Sequence, residues 1–209
     1  VGTAGTGGFG VKNDSIGSYS PYLQWVVAIF MILFGVNFNA YYYIIYRHFK
    51  KAFKIEEVRC YFAIILIATA IIFANILDRC VSIFDALTKS VFQVASLITS
   101  TGFSSTDFNL WPQICRTVLV LIMFIGACAG STGGGIKVSR VIVLFKTMIK
   151  ELHSYIHPKS IRKVNLDGKP VEHEIVRSIN VYIVTFVIIF ASSVFMVAFD
   201  GKDLVTNFT

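Results

Sequence analysis

The segment "STGFS" at residues 100–104 decides how the fold is interpreted, because its pattern occurs a second time as "TGGFG" at residues 6–10. After each copy come a polar turn, a proline, a long apolar segment and a cluster of Lys and Arg. The two copies share a threonine, a glycine, a phenylalanine and a small residue. Such repetition in a membrane chain is typical of pseudosymmetric pores and transporters. The sequence therefore predicts a membrane protein assembled from repeated units.

The apolar segments around these copies have the length of membrane spans. Pro21–Tyr46, Cys60–Leu77 and Ser178–Phe199 carry no charged residue, and the first two contain 26 and 18 residues. Roughly 20 apolar residues cross a bilayer as a helix. The stretch Asp85–Thr99 carries Lys89 and is too short to cross, so a re-entrant half-helix is predicted there. Its Asp85 and Lys89 are four residues apart and are expected to pair on one helix face.

One further helix is interrupted by glycine. Trp111 and Pro112 open it, Thr117–Ala129 is apolar, and the helix is expected to resume over Ile136–Leu152. The sequence "GACAGSTGGGIKVSR" (126–140) lies at the interruption and contains five glycines. It is interpreted either as a flexible kink or as a mobile loop of polar backbone at membrane depth, which is tolerated beside a water-filled path.

Composition and charge agree with a membrane protein. The 209 residues are 55% hydrophobic and 15% charged, whereas about a quarter are charged in soluble domains. Of the 19 Lys and Arg, 14 lie at residues 47–59 and 137–177, which the predicted topology places on the cytoplasmic side. The net charge of +7 is therefore assigned to membrane orientation and not to nucleic acid binding. The glycine-rich start and the end just after an apolar segment indicate an excerpt of a longer protein.

The two glycine-containing turns have the chemistry of a cation filter. Carbonyl groups that leave a helix at membrane depth are costly in hydrocarbon unless they line a wet cavity or contact an ion. Thr-x-Gly-aromatic-Gly is the pattern of a potassium filter, in which backbone carbonyls replace the hydration shell. Gly8 and Gly102 allow the positive φ that such a turn needs. The C-terminal end of the helix at 85–99 carries the negative end of its dipole, which favours a cation.

Three motifs resemble a known family. The segments "TAGTGGFGVKNDSIG" (3–17), "SLITSTGFSSTDF" (96–108) and "GACAGSTGGGIKVSRVIVLFK" (126–146) are similar to the second filter, third filter and interrupted inner helix of the Trk/Ktr/HKT superfamily of potassium transporters. The loop sequences "IHP" and "LDGKPV" are closest to its bacterial TrkH branch. The resemblance covers essentially the whole chain.

This resemblance implies an all-α membrane protein with pseudo-fourfold repeats around a central pore, here as an incomplete set. Each repeat is a helix, a pore helix, a filter loop and a second helix. Residues 1–58 would hold the second-repeat filter, its inner helix and a basic cytoplasmic end. Residues 59–152 would be the complete third repeat, 153–177 a cytoplasmic loop, and 178–209 the first helix of the fourth repeat.

The resemblance also assigns residues to the ion path. The potassium-binding filter would comprise Thr6, Gly7, Gly8, Phe9 and Gly10 together with Ser100, Thr101, Gly102, Phe103 and Ser104. The gate loop would comprise Gly126, Gly130, Ser131, Thr132, Gly133, Gly134 and Gly135 with Lys137 and Arg140. In this family, glycine before the filter aromatic accompanies potassium selectivity, and both copies keep it. A sodium-conducting relative stays an alternative, because two of the four filters fall outside the sequence.

Partners and location follow from the same resemblance. It implies a multi-pass protein of the bacterial inner membrane that forms a homodimer in the lipid bilayer and transports K⁺. A cytoplasmic nucleotide-binding regulatory subunit would contact the basic surface at 137–177. No covalent cofactor, no metal other than K⁺, no nucleic acid and no enzymatic reaction are expected. Channel-like transport and coupling to H⁺ or Na⁺ both remain open.

Nucleotide binding by the glycine loops is the alternative from a different class. Residues 5–10, "GTGGFG", match the GxGxxG pattern, but no strand is predicted before them. The segment "GSTGGGIK" (130–137) fails the phosphate-loop pattern because its lysine falls one place late. Lys137 and Arg140 are interpreted either as interfacial anchors or as charges that raise the barrier for cations at the gate.

The remaining polar residues suggest no further site. Asp107 is expected to cap a turn and not to concentrate cations. The four histidines lack a common ligand spacing, so no metal site is predicted from His48, His153, His157 and His173. The cysteines are expected to be free thiols, mostly buried: Cys60, Cys80, Cys115 and Cys128.

Overall fold

The computed structural model describes residues 1–157 and 163–200. The chain divides into two compact units, Val1–Val141 and Ile142–Thr209. The first unit contains six helices and the start of a seventh: α1 Pro21–Phe34, α2 Phe38–Ile45, α3 Phe49–Ala52, α4 Glu56–Ile76, α5 Ile83–Ile98, α6 Gln113–Ile125 and α7 Val138–Ile156. Short 3₁₀ turns at Leu77–Arg79 and Phe108–Leu110 follow α4 and precede α6.

The short helix α5 is the centre of the first unit, packed against α1, α4 and α6. Its first turn is capped by Ser82, whose Oγ accepts from the Asp85 N–H at 3.1 Å. The predicted pair is confirmed, since Lys89 Nζ lies 2.7 Å from Asp85 Oδ2. Trp25 Nε1 donates to Thr88 Oγ1 at 2.8 Å and so ties α1 to α5. A polar contact of this kind fixes the register of two otherwise apolar surfaces.

The core between these helices is apolar. Ala28 and Met31 of α1 pack with Phe92 and Ala95 of α5, and Phe103 from the loop after α5 completes the cluster. Each of these five side chains is buried. The cluster holds the loop that follows α5 against α1.

The prediction of one continuous helix over Pro21–Tyr46 is wrong, because α1 and α2 meet at a bend of 92°. Helix α1 ends at Phe34 and is capped by Gly35, where a Cβ would meet the Tyr61 hydroxyl and lie 2.9 Å from Thr99 Cγ2. Asn37 then starts α2, with its Oδ1 accepting from the Asn39 N–H at 2.9 Å. A break leaves helix carbonyls without partners.

Tyrosine hydroxyls from elsewhere in the fold bind two carbonyls at this break. The Tyr61 hydroxyl donates to the Ile32 carbonyl at 3.1 Å, and the Tyr41 hydroxyl donates to the Leu33 carbonyl at 2.5 Å. The same two carbonyls also accept from the N–H groups of Gly35 at 3.2 Å and Val36 at 3.1 Å, so each hydroxyl adds a second hydrogen bond. The bend is therefore built into the packing and is not a local distortion.

The other predicted spans are found with shifted ends. Helix α4 with its 3₁₀ extension, Glu56–Arg79, and α8, His173–Val197, are each long and apolar enough to cross a membrane. The bent pair α1 and α2 makes a third candidate if it counts as one span. The predicted interruption is confirmed, since α6 ends at Ile125 and α7 begins at Val138.

The second unit holds the rest of α7, a hairpin and α8. Strands β1, Asn165–Leu166, and β2, Lys169–Pro170, pair antiparallel with Leu166 opposite Lys169. The turn between them has φ of 53° at Asp167 and 76° at Gly168, as a tight hairpin requires. Helix α8 begins five residues before the predicted apolar run. Parts of two predicted segments lie outside the described residues: 158–162 of the cytoplasmic loop 153–177, and 201–209 of the fourth-repeat segment 178–209.

Candidate functional site

The two repeated segments adopt the same backbone signature. We call residues 6–10 the first loop and residues 100–104 the second loop. Positive φ occurs at Thr6 and Gly8, 47° and 67°, and at the corresponding Ser100 and Gly102, 56° and 80°. The residue between each pair is not in that region. This alternation is uncommon for residues other than glycine, and its occurrence in both copies supports the repeat inferred from sequence.

Helix α5 determines where the N–H groups of the second loop point. The Thr101 N–H donates to the Ser96 carbonyl at 2.9 Å, and the Ser96 hydroxyl donates to the Phe103 carbonyl at 2.5 Å. Thr99 Oγ1 and Thr101 Oγ1 lie 2.8 Å apart. Ser96, Thr99 and Thr101 are all buried. The loop is therefore anchored on one side by its donors and its polar side chains.

Several carbonyl oxygens in and beside the two loops have no protein donor. In the described part of the chain, no hydrogen-bond donor reaches the carbonyls of Thr6, Gly7 and Gly8 or those of Thr99–Gly102. Buried backbone carbonyls normally have partners. Ser100 and Gly102 are exposed, whereas Thr101 and Phe103 are buried. Carbonyl oxygens without donors are suited to a cation that has lost part of its water shell.

The two loops lie against each other. A Cβ at Gly8 would collide with the Thr101 carbonyl oxygen and lie 3.3 Å from the Gly102 carbonyl carbon. At Gly102 nothing lies within 4 Å of such a Cβ, so only its backbone conformation requires glycine. Beyond the loops, the Ile16 N–H donates to the Ser104 carbonyl at 3.0 Å and Ser15 Oγ accepts from the Ser104 N–H at 3.2 Å. These bonds fix the register of the two copies.

The predicted gate segment lies beside the first residues of both loops. We call residues 126–137 the glycine loop. A Cβ at Gly133 would lie 3.0 Å from the Thr99 carbonyl oxygen, and one at Gly134 would lie 3.2 Å from Ser100 Oγ. On the other side, Thr6 Oγ1 donates to the Thr132 carbonyl at 2.9 Å. The structure thus brings together the three segments that the sequence analysis selected.

The base of the glycine loop is closed by its own backbone. Gly126 and Gly135 have φ of 76° and 80°. A Cβ on Gly126 would approach the Gly134 carbonyl oxygen to 2.5 Å. The two ends of the loop therefore pack backbone against backbone, with no room for a side chain. The Lys137 N–H donates to the Ile125 carbonyl at 3.0 Å and the Val138 N–H to the Ala127 carbonyl at 3.0 Å. Helix α7 therefore begins where the loop returns to α6.

The two cations predicted at the gate contact the loop backbone. Lys137 Nζ donates to the Gly133 carbonyl, and Arg140 Nη1 donates to the Ile136 carbonyl at 3.2 Å. Both side chains are half-buried. These contacts place both charges at the glycine loop.

Sequence reasoning missed how the glycine loop meets the bend between α1 and α2. The Cys128 N–H donates to the Gly35 carbonyl at 3.0 Å, and the Phe38 N–H donates to the Gly130 carbonyl at 3.2 Å. It also missed Glu57, a buried carboxylate at the same junction. A possible signal was the sequence Gly-Val-Asn at 35–37, since glycine ends helices and asparagine starts them.

The lesser predictions have simple outcomes. Asp107 caps a turn as expected, with Oδ1 accepting from the Asn109 N–H at 2.9 Å. The four cysteines are free thiols, of which Cys115 and Cys128 are buried. Among the described residues, no group of three or more His, Cys, Asp or Glu is arranged to hold a metal ion.

Known proteins are similar to this chain over nearly its whole length. The family model described as "TrkH, cation transport protein" matches residues 2–206. The Trk system potassium uptake protein TrkH of Salmonella typhimurium is 30% identical over 208 residues, which are 96% of this chain and 42% of that protein. TrkG of Escherichia coli strain K12 is 29% identical over 212 residues, with 100% of this chain and 44% of that protein covered.

A solved structure is similar as well. The crystal structure of the potassium transporter TrkH from Vibrio parahaemolyticus matches with a TM-score of 0.91 and 26% identity, over 99% of this chain and 46% of that one. This match confirms the predicted all-α membrane fold. The chain spans less than half the length of the relatives that it matches.

Proposed function

Because this chain belongs to the TrkH family of cation transport proteins, we propose that it is part of a membrane protein that takes up K⁺. The family is one of transporters and not of enzymes. The relatives named above are a potassium uptake protein from Salmonella typhimurium and a potassium transporter from Vibrio parahaemolyticus. Since the chain spans under half of their length, transport is proposed for the whole protein that contains it.

The observation that carries this proposal is the pair of facing loops with free carbonyls. Residues 6–10 and 100–104 have the same alternation of φ and lie in contact at Gly8 and Thr101. In an apolar surrounding, each carbonyl without a partner costs several kcal/mol. A partly dehydrated K⁺ supplies the missing partner, and it leaves again because each site binds only weakly. We assign both loops to the selectivity filter.

The glycine loop is proposed as the gate. It lies beside Thr99 and Ser100 at one end of the second loop and contacts Thr6 of the first. An ion leaving the filter on this side meets the loop backbone, so the loop has to move for ions to pass. Its glycines permit such movement, because positive φ at Gly126, Gly130 and Gly135 is accessible without side-chain strain.

The setting of the whole protein follows from the same premise. We propose a multi-pass protein of the bacterial inner membrane, present as a homodimer. The relatives are described as parts of a Trk system, which accords with an additional component. A cytoplasmic nucleotide-binding subunit that contacts the basic surface at 137–177 would supply the signal that moves the gate.

Replacement of Gly102 by Ser tests the filter assignment. Its matched control is Gly168→Ser in the hairpin, because both glycines have positive φ, 80° and 76°, and open space around an added Cβ. Both variants therefore place a side chain at a positive φ without a steric clash. In the whole transporter reconstituted in vesicles, Gly102→Ser should lower the preference for K⁺ over Na⁺, whereas Gly168→Ser should not. Equal selectivity of both variants and the unmodified transporter would refute the assignment, and a Na⁺ preference of the unmodified transporter would favour the sodium-conducting alternative.

A further inference from the structure

Glu57 is an ionisable group that neither the filter nor the gate accounts for. It lies in the first turn of α4 and is 4% exposed. Among the described residues it is the only Asp, Glu, Lys, Arg or His that is buried. A buried carboxylate is retained only when hydrogen bonds or charges compensate the loss of water. Its partners therefore show what it does.

One oxygen of this carboxylate joins both ends of the glycine loop. Oε1 accepts from the Ala129 N–H at 2.6 Å and from the Ser139 N–H at 3.1 Å. Ala129 lies near the start of the loop, and Ser139 is the second residue of α7 directly after it. Hydrogen bonds to a charged acceptor are about twice as strong as neutral ones. A single carboxylate oxygen of α4 thus binds both ends of the glycine loop.

The bond to Ser139 also supplies a helix cap that α7 lacks in its own sequence. The N–H of the second helical residue is normally accepted by the side chain that precedes the helix. Here that residue is Lys137, whose ammonium group has no acceptor. A carboxylate at this end of the helix additionally interacts favourably with the helix dipole. Glu57 therefore caps α7 from another helix.

The second carboxylate oxygen binds the other broken helix. Oε2 accepts from Asn37 Nδ2 at 2.9 Å. Asn37 cannot turn its amide around without losing the bond from the Asn39 N–H to its Oδ1, which starts α2. The nearby backbone bond from Cys128 to Gly35 connects the same two segments. Glu57 thus stands where the bend of α1 and α2 meets the glycine loop.

We infer that Glu57 is the positioning residue that holds the glycine loop in place beside the two filter loops. Its carboxylate links α4, the α1–α2 bend and both ends of the glycine loop through three hydrogen bonds. Displacement of the loop breaks the bonds to Ala129 and Ser139 together. The link to K⁺ flux rests on the proposed function, whereas the link to loop position does not.

Cys128 provides a native reporter of loop position. Its side chain is 0% exposed, and it directly precedes Ala129. The rate at which a small thiol reagent modifies Cys128 therefore measures how often the loop leaves its place. The measurement uses the whole transporter with every other cysteine replaced, and size-exclusion chromatography confirms that each variant is folded.

Glu57→Gln is the informative variant, because it keeps the shape and places an amide NH₂ against the NH₂ of Asn37. We expect the modification rate of Cys128 to rise by about tenfold, the ratio that corresponds to one lost hydrogen bond. Asn37→Asp alone should raise the rate too, since two carboxylates would then face each other. In the double variant Glu57→Gln with Asn37→Asp, the amide at position 57 donates to the carboxylate at position 37. The modification rate of Cys128 should therefore return toward that of the unmodified protein. Glu56→Gln, in the same helical turn, is the control.

The outcomes separate the two proposals. A rate that is unchanged in folded Glu57→Gln, or a rise that Asn37→Asp does not reverse, overturns the role of Glu57. K⁺ flux is measured in the same vesicles. A faster modification of Cys128 with unchanged K⁺ flux supports the role of Glu57 and contradicts the glycine loop as gate. A faster modification with increased flux supports both.

Discussion

Replacement of Gly8 or Gly102 by Ala distinguishes two reasons for glycine in the paired loops, namely close contact with the opposite loop and a positive φ. Both glycines have positive φ, 67° and 80°. Only Gly8 faces the opposite loop, where an added Cβ would collide with the Thr101 carbonyl oxygen. At Gly102 the same atom would meet nothing within 4 Å. The two variants therefore share the conformational effect and differ in the steric one.

The magnitudes follow from these surroundings. Positive φ in an alanine costs about 1–2 kcal/mol, and this applies to both variants. Overlap with a neighbour in a packed site adds about 1–3 kcal/mol, and this applies to Gly8→Ala alone. Because the nearest neighbours of such a Cβ at Gly8 are backbone atoms of Thr101 and Gly102, they cannot rotate away as a side chain would. We expect Gly8→Ala to destabilise the transporter more than Gly102→Ala by about 1–3 kcal/mol.

Thermal and denaturant unfolding of the purified whole transporter measures this difference. Both variants should also lower the uptake of Rb⁺ into vesicles, because each disturbs a carbonyl in the proposed filter. Equal stability of the two variants would refute the reasoning, since it would mean that the two loops do not touch at Gly8. Gly168→Ala, in the hairpin of the second unit, is the control for positive φ without a filter position.

Three further predictions concern the gate and the packing around α5. Deletion of residues 131–134 should raise K⁺ flux in the absence of a regulatory partner, measured in vesicles; reduced flux in a folded deletion would mean that the glycines only kink a helix. Tyr61→Phe removes the hydroxyl bond to the Ile32 carbonyl at the α1–α2 bend, which keeps its bond from the Gly35 N–H, and should lower the stability by about 0.5–1.5 kcal/mol in thermal unfolding; an unchanged stability would mean that the hydroxyl bond does not stabilise the bend. Lys89→Met breaks the partly exposed pair with Asp85 and should change the stability by less than about 1 kcal/mol in the same assay, so a larger loss would contradict its assignment as an ordinary surface pair.

Much of this arrangement was predictable because it depends on local sequence. Gly8 and Gly102 were expected to have positive φ from their place in a repeated pattern, and both do. The interruption after α6 was expected from its five glycines. Such features depend on what one residue type allows the backbone to do, so a single sequence reveals them.

The bend in Pro21–Tyr46 was not predicted, because hydropathy and length were given more weight than local helix-ending residues. This segment carries no charged residue on either side of Gly35. What stabilises the bend is the hydroxyl of Tyr61 on another helix, which binds the Ile32 carbonyl across 29 positions of sequence. A tertiary contact of this kind overrides the tendency of an apolar segment to continue as a helix.

Glu57 escaped prediction for a related reason. In the sequence it stands between Lys54 and Arg59, and an acidic residue at a helix start is commonly explained by the helix dipole. Its partners Ala129 and Ser139 lie 72 and 82 residues further along the chain. Both partners use backbone N–H groups, which every residue but proline has, so no side-chain pattern could point to them. Only the fold brings them together.

Anomalous diffraction from crystals of the whole transporter grown in Rb⁺ tests the central claim most directly. Rb⁺ resembles K⁺ and scatters anomalously, so its position relative to residues 6–10 and 100–104 can be located. We predict a peak between the two loops, within coordination distance of carbonyl oxygens such as those of Gly7 and Thr101. Rb⁺ peaks found only away from both loops, in crystals of a transporter that takes up Rb⁺, would contradict the assignment of these carbonyls to the ion path.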